Sequence, residues 1–215
     1  MLNVITLQSK IILSINMKKA IILIGYQNDY FAQDGILKNV VEESSKVTNI
    51  IENTVNLIKN CEDTLLISTP IIFTEDYSEL TEPVGILKTI KEVGAFKKGS
   101  RGSETIAELK TFSNKITEIP GKQGLNAFMN TDLEKTLLEH NISHVYLAGT
   151  VASICIDSTG RSAVERGFKV TMLTDCISGR TVFEKDFFCE TIYPLYANNV
   201  VSSDLINLST SSNAL

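Results

Sequence analysis

The chain has 215 residues, 43% of them hydrophobic and 21% charged, which is the balance of an ordinary water-exposed globule with one sizeable core and little left for a second. Its formal charge of −5, with basic residues scattered apart from the Lys18-Lys19 and Lys97-Lys98 pairs, excludes the electrostatic footprint of a nucleic-acid binder. No apolar run approaches the ~20 residues needed to span a bilayer, so no membrane role is expected.

In chain order, the opening "MLNVITLQSKIILSIN" has neither a basic leading region nor a small-residue cleavage site, and makes a poor secretion signal. Residues 1–17 read as an extension, with Met17 a second candidate start, residues 18–208 as the folded domain and 209–215 as a tail. "AIILIG" (20–25) then reads as a strand, and "VEESSKVTNIIENTVNLIKN" (41–60) as one helix with Val47, Ile50, Ile51, Val55, Leu57 and Ile58 on a single apolar stripe. "TLLISTPIIFT" (64–74) and "KITEI" (115–119) are further strands. "NTDLEKTLLEHN" (130–141) reads as a helix, in which Thr131 and Glu134 have the spacing of a capping box. "HVYLAG" (144–149) is a strand, "CIDSTGRSAVERG" (155–167) a helix stopped by Gly167, and "KVTMLTD" (169–175) and "NNVVSS" (198–203) complete the strands.

These strands are too continuously apolar for half-exposed antiparallel pairs and suit a parallel sheet covered on both faces. With helices between them and no linker or repeat, the expectation is a single α/β domain, a three-layer α/β/α sandwich around a central, mostly parallel six-stranded sheet. The four cysteines, Cys61, Cys155, Cys176 and Cys189, lack C-x-x-C spacing and read as reduced thiols, which points to a cytoplasmic setting.

Ligands of open α/β sheets sit beyond the carboxyl ends of the strands, where loops and helix N-termini converge. Three such ends carry polar or reactive residues: Gly25–Phe31, Pro120–Phe128 and Gly149–Cys155. Cys155 falls where a strand passes through a short loop into a helix, so the positive end of the helix dipole would favour a thiolate. The competing reading is a small buried core residue, and Cys61, Cys176 and Cys189 keep that reading. Lys122, bracketed by Gly121 and Gly124, lies on the same sheet edge, where an ammonium would stabilise both a thiolate and a developing oxyanion. Alone it would be an ordinary surface lysine.

Together, "AIILIGYQNDYF", "RGSETIAELK" and "KQGLNAFMNTDLEKTLLEHNISHVYLAGTVASICIDSTGRSAVERGFKVTMLTDC" resemble, in order and spacing, the isochorismatase-like cysteine hydrolase superfamily over about Lys18 to Leu205. The resemblance implies an Asp–Lys–Cys triad that cleaves amide or carbamoyl bonds, with Cys155 the nucleophile and Lys122 its charged partner. It also implies Val151 and Cys155 as oxyanion donors, a cis bond at Thr150–Val151, and Tyr30 and Thr150 against the substrate. Relatives are commonly dimers or tetramers, so a homo-oligomer acting on a small molecule, without a cofactor, is expected.

One position departs from the pattern. Gly25 stands where the family has its triad aspartate, while the flanking Gln27-Asn28-Asp29 is retained. Asp29, and more remotely Glu75 or Asp76, are the candidates to replace the lost base. Isochorismate cleavage depends on that aspartate, so it is not expected here. Nicotinamidases carry a metal held by Asp and two His after the second strand; this chain has only His140 and His144, both between a helix and the next strand, so no metal site is expected. What remains is a thiol-dependent C–N hydrolase of weak or altered activity or, alternatively, a silent relative that binds a small molecule or a protein.

Overall fold

A strand that is apolar along its whole length needs cover on both faces. Strand β1, Lys18–Ile24, has it: its last five residues are buried. Ile22 and Ile24 join Leu133, Leu137, Ile156 and Ala163 in one core, and Ile21 and Leu23 join Ile50, Leu57, Ile58 and Leu205 in another. The computed structural model describes residues 18–61 and 64–212, without the side chains of 208–212. The extension expected at 1–17 lies outside the described residues.

After β1 come a short helix α1, Asn28–Phe31, then α2, Lys38–Thr48, and α3, Ile50–Asn60. They are followed by β2, Leu65–Thr69; α4, Gly85–Val93; α5, Ala107–Lys110; β3, Ile116–Glu118; and α6, Leu133–Glu139. The second half runs β4, Ile142–Thr150; a π-type turn, Ala152–Ile156; α7, Asp157–Glu165; β5, Lys169–Ser178; α8, Val182–Phe187; β6, Asn198–Val200; and α9, Ser202–Ser212. All six strands are parallel, in the order β3-β2-β1-β4-β5-β6, so the expected α/β sheet is the one formed. Among the described residues no helix is long and apolar enough to cross a membrane.

Several boundaries differ from expectation. The single helix expected over 41–60 breaks at Asn49, which takes φ 52°, a left-handed conformation asparagine accepts more readily than most residues. Val47 is consequently 67% exposed and leaves the apolar stripe. Strand β2 stops at Thr69 because Pro70 has no N–H to donate. The chain beyond it continues as single bridges, Ile71 to Lys122 and Phe73 to Lys97.

The capping box does not form. Helix α6 starts at Leu133, one residue too late for Glu134 to reach back; Thr131 donates to the Ala127 carbonyl at 2.6 Å and Glu134 pairs with Arg166 at 3.0 Å. The last expected strand is cut to Asn198–Val200 because Asp175 draws Ser202 into a helix, accepting from its N–H at 2.7 Å and its hydroxyl at 2.6 Å. Helix α9 then runs across the boundary expected at 208.

Candidate active site

The carboxyl edge of β1, β2 and β4 brings the predicted residues together. Lys122 reaches it through Ile71: the two form a parallel bridge, and the Ile72 N–H donates to the Lys122 carbonyl at 3.1 Å. Its side chain is wholly buried, which a lone surface lysine would not be. The ammonium donates to the Gly124 carbonyl at 2.6 Å and lies 3.4 Å from the Cys155 sulfur.

Cys155 sits in the π-type turn that leads into α7 and is buried, with 3% of the residue exposed. Tyr193 supports that turn from below by donating to the Ala152 carbonyl at 2.8 Å, and Ser153 donates to Glu184. The peptide before it, Thr150–Val151, is cis. Cys61, Cys176 and Cys189 are buried elsewhere, and burial pushes the Cys176 thiol up to about 12 and the Cys189 thiol up to about 11.

Gly25 follows β1 at φ +75°. A Cβ placed there would lie 2.9 Å from the Thr150 carbonyl oxygen, 3.1 Å from the Thr150 methyl and 3.7 Å from the Tyr30 ring. Thr150 and Tyr30 therefore crowd the space a larger side chain would need. The close approach of β4 that causes this depends on Gly149, where a Cβ would collide with the Ile24 carbonyl.

The retained Gln27-Asn28-Asp29 stretch is committed to the scaffold. The Gln27 amide donates to the Ile71 and Ser103 carbonyls at 2.8 Å each, and its oxygen accepts from the Ile71 N–H at 2.8 Å. Asn28 donates to the Arg101 carbonyl at 2.8 Å. The Asp29 carboxylate accepts from the Phe96 N–H at 2.7 Å; burial raises its pKa, against the lowering effect of the Phe96 and Ile36 N–H groups. Asp76 is held by Thr74 and Ser78 in an exposed turn, and Glu75 is exposed beside it.

Above the sulfur is a cavity of about 10 Å³, room for one water. Tyr30, Val151 and Cys155 line it together with Gly124, and α4 closes it with Ile86, Leu87 and Ile90. No carboxylate is among the residues that line it. Thr150 does not line it either; its hydroxyl donates to the Ser178 carbonyl at 3.3 Å. Burial, and secondarily the neighbouring Cys155 and Asp29, push the Tyr30 phenol well above its usual range, so its ring presents a neutral hydroxyl. The α4 residues escaped the sequence reading, although Ile86, Leu87 and Ile90 have the spacing of one helical face.

The histidines lie apart from this site. His144 stacks on Tyr146 with centroids 4.3 Å apart and pairs with Thr171 at 2.8 Å, and His140 contacts the Thr136 carbonyl at 2.9 Å. Among the described residues no cluster of His, Cys, Asp and Glu could hold a metal ion.

Comparison with known proteins identifies the family and the fold. The family model "Isochorismatase domain" matches residues 19–204. A Bacillus subtilis protein described as the uncharacterized isochorismatase family protein PncA is 29% identical over 166 residues, covering 73% of this chain and 84% of its own. Among solved structures, a cysteine hydrolase from Pseudomonas syringae pv. phaseolicola superposes with a TM-score of 0.78 at 18% identity, over 91% of this chain and 93% of the other. N-carbamoylsarcosine amidase from Thermoplasma acidophilum does so with a TM-score of 0.67 at 22% identity, over 86% and 97%. With a family match spanning every strand but the first residue of β1, the chain belongs to the isochorismatase-like cysteine hydrolase superfamily.

Proposed function

We propose that this protein hydrolyses the C–N bond of a small amide or carbamoyl compound through Cys155, at a rate limited by the carboxylate that Gly25 does not supply. The observation that carries the reading is the Lys122 ammonium 3.4 Å from the Cys155 sulfur at the floor of a cavity. A buried ammonium is stabilised by a neighbouring anion, and the Cys155 sulfur lies in contact with it. Two fold neighbours named as a cysteine hydrolase and an amidase support the reaction class.

In this mechanism the sulfur attacks the carbonyl carbon and the C=O electron pair moves to oxygen. The N–H groups of Val151 and Cys155 receive the oxyanion. Collapse breaks the C–N bond, and the departing amine takes its proton from Lys122, the charged group in contact with the sulfur. Water then attacks the thioester, gives a proton back to Lys122, and releases the acid and the free thiolate. A general base contributes ~10²–10⁴-fold, so slow turnover is expected without one.

The bare lining also favours a second reading, a silent relative that only binds. Ammonia release from a panel of primary amides decides between them. The hydrolase reading expects slow release that disappears in Cys155→Ala; no release, or release that Cys155→Ala leaves unchanged, contradicts it.

A further inference from the structure

We infer that the acyl group this site accepts is short, aliphatic and uncharged; the inference rests on the proposed hydrolase reading of the same cavity. Apart from Cys155, Gly124, Val151 and Tyr30, the wall is formed by Ile71, Ile86, Leu87, Ile90, Leu125 and Ile154. Those six side chains carry no cation, amide or hydroxyl on which a substrate carboxylate or ring nitrogen could be anchored, and the Tyr30 phenol, the hydroxyl of the lining, is neutral and supplies no counter-charge. The Lys122 ammonium beside it is already engaged by the Gly124 carbonyl at 2.6 Å and by the sulfur at 3.4 Å. An anionic substrate would therefore carry its charge into a largely apolar wall with no free counter-charge, whereas a branched alkyl group would be desolvated against matching surface.

Size follows from the same residues. The closed cavity admits about one water, so an acyl group enters only if a wall yields. Helix α4 is the weakly held wall: Ile90 is the one buried residue of its nine, and it is bounded by Gly85 at φ 54° and Gly94 at φ 74°. Outward displacement of one two-turn helix makes room for a few carbons beside Ile86 and Leu87, and not for a large ring system.

Aldehydes test this without requiring turnover. An aldehyde forms a thiohemiacetal with Cys155: one C–S bond is made as the C=O π bond breaks, and the proton held by the Cys155–Lys122 pair passes to the aldehyde oxygen. Protection of Cys155 from iodoacetamide, read by peptide mass, is measured for isobutyraldehyde, for glyoxylate and for succinic semialdehyde. Half-protection by isobutyraldehyde is expected at a concentration at least tenfold below that of either anion. In Leu87→Lys, which puts a cation on the wall, that preference should fall at least tenfold. Equal or better protection by the anions, or no protection by any of the three, overturns the inference, and the wild-type arm holds even if Leu87→Lys does not fold. Selective protection by isobutyraldehyde without amide turnover would leave the binding preference standing and remove the hydrolase reading; turnover with no apolar preference would do the reverse.

Discussion

The Lys122 ammonium and the Cys155 sulfur stand 3.4 Å apart, both in buried residues, although 33 positions separate them in the chain. The thiolate is the species that alkylating agents attack, so removing the ammonium should slow the reaction of this one cysteine. Lys122→Met is predicted to lower the iodoacetamide labelling rate of Cys155 at least tenfold. Cys61, Cys176 and Cys189, resolved by peptide mapping, serve as internal references and should not change. An unchanged Cys155 rate would mean that the contact does not influence the sulfur.

Gln27 fixes the strand end that delivers Lys122. Its buried amide satisfies both backbone groups of Ile71 and the carbonyl of Ser103. Each buried polar group left without a partner costs about 1–3 kcal/mol. Gln27→Ala is therefore predicted to destabilise the fold by about 3 kcal/mol, measured by urea unfolding, and to slow Cys155 labelling because the Ile71–Lys122 bridge loosens. A loss below about 1 kcal/mol would show that water replaces the amide without cost.

His144 gives the fold a pH dependence independent of catalysis. Burial first, then the positive charges of Lys169 and Lys19, hold its imidazole down to about 4 against an ordinary value of 6.5. As pH falls the unfolded chain binds the proton first, so the stability present above about 6.5 is lost between 6.5 and 4. With allowance for partial solvent access at the strand end, the loss is about 2 kcal/mol. His144→Phe, which keeps a ring against Tyr146, is predicted to flatten the urea midpoint across that window. An equally steep decline in the variant would assign the dependence to other groups.

The sheet was legible in the sequence because buried parallel strands are written as uninterrupted apolar runs, as in Ile21–Ile24 and Val145–Ala148. Cys155, Lys122 and Gly25 stood out through motif order, each beyond a strand's carboxyl end, and the contact between the first two is what the structure adds. The break at Asn49 was not, since one left-handed residue leaves the helical periodicity on either side intact. Nor was the turn of Ser202 into a helix, which depends on an Asp175 carboxylate 27 positions away. The α4 wall was missed for a related reason: what makes Ile86, Leu87 and Ile90 part of the site is their position over the sulfur, and short apolar stripes elsewhere in the chain look the same.

Gly25 sets what the Cys155–Lys122 pair lacks, and paired substitutions there test it most directly. Either side chain at φ +75° and 2.9 Å from the Thr150 oxygen should cost about 2 kcal/mol of stability, with aspartate the better tolerated of the two in that region. Gly25→Ala thus carries the strain alone, and Gly25→Asp carries the strain and a carboxylate. If Cys155 and Lys122 form a nucleophilic pair lacking only its base, ammonia release from isobutyramide should be at least a hundredfold faster in Gly25→Asp than in Gly25→Ala. Equal rates in two folded variants whose Cys155 still labels at the parental rate would contradict it.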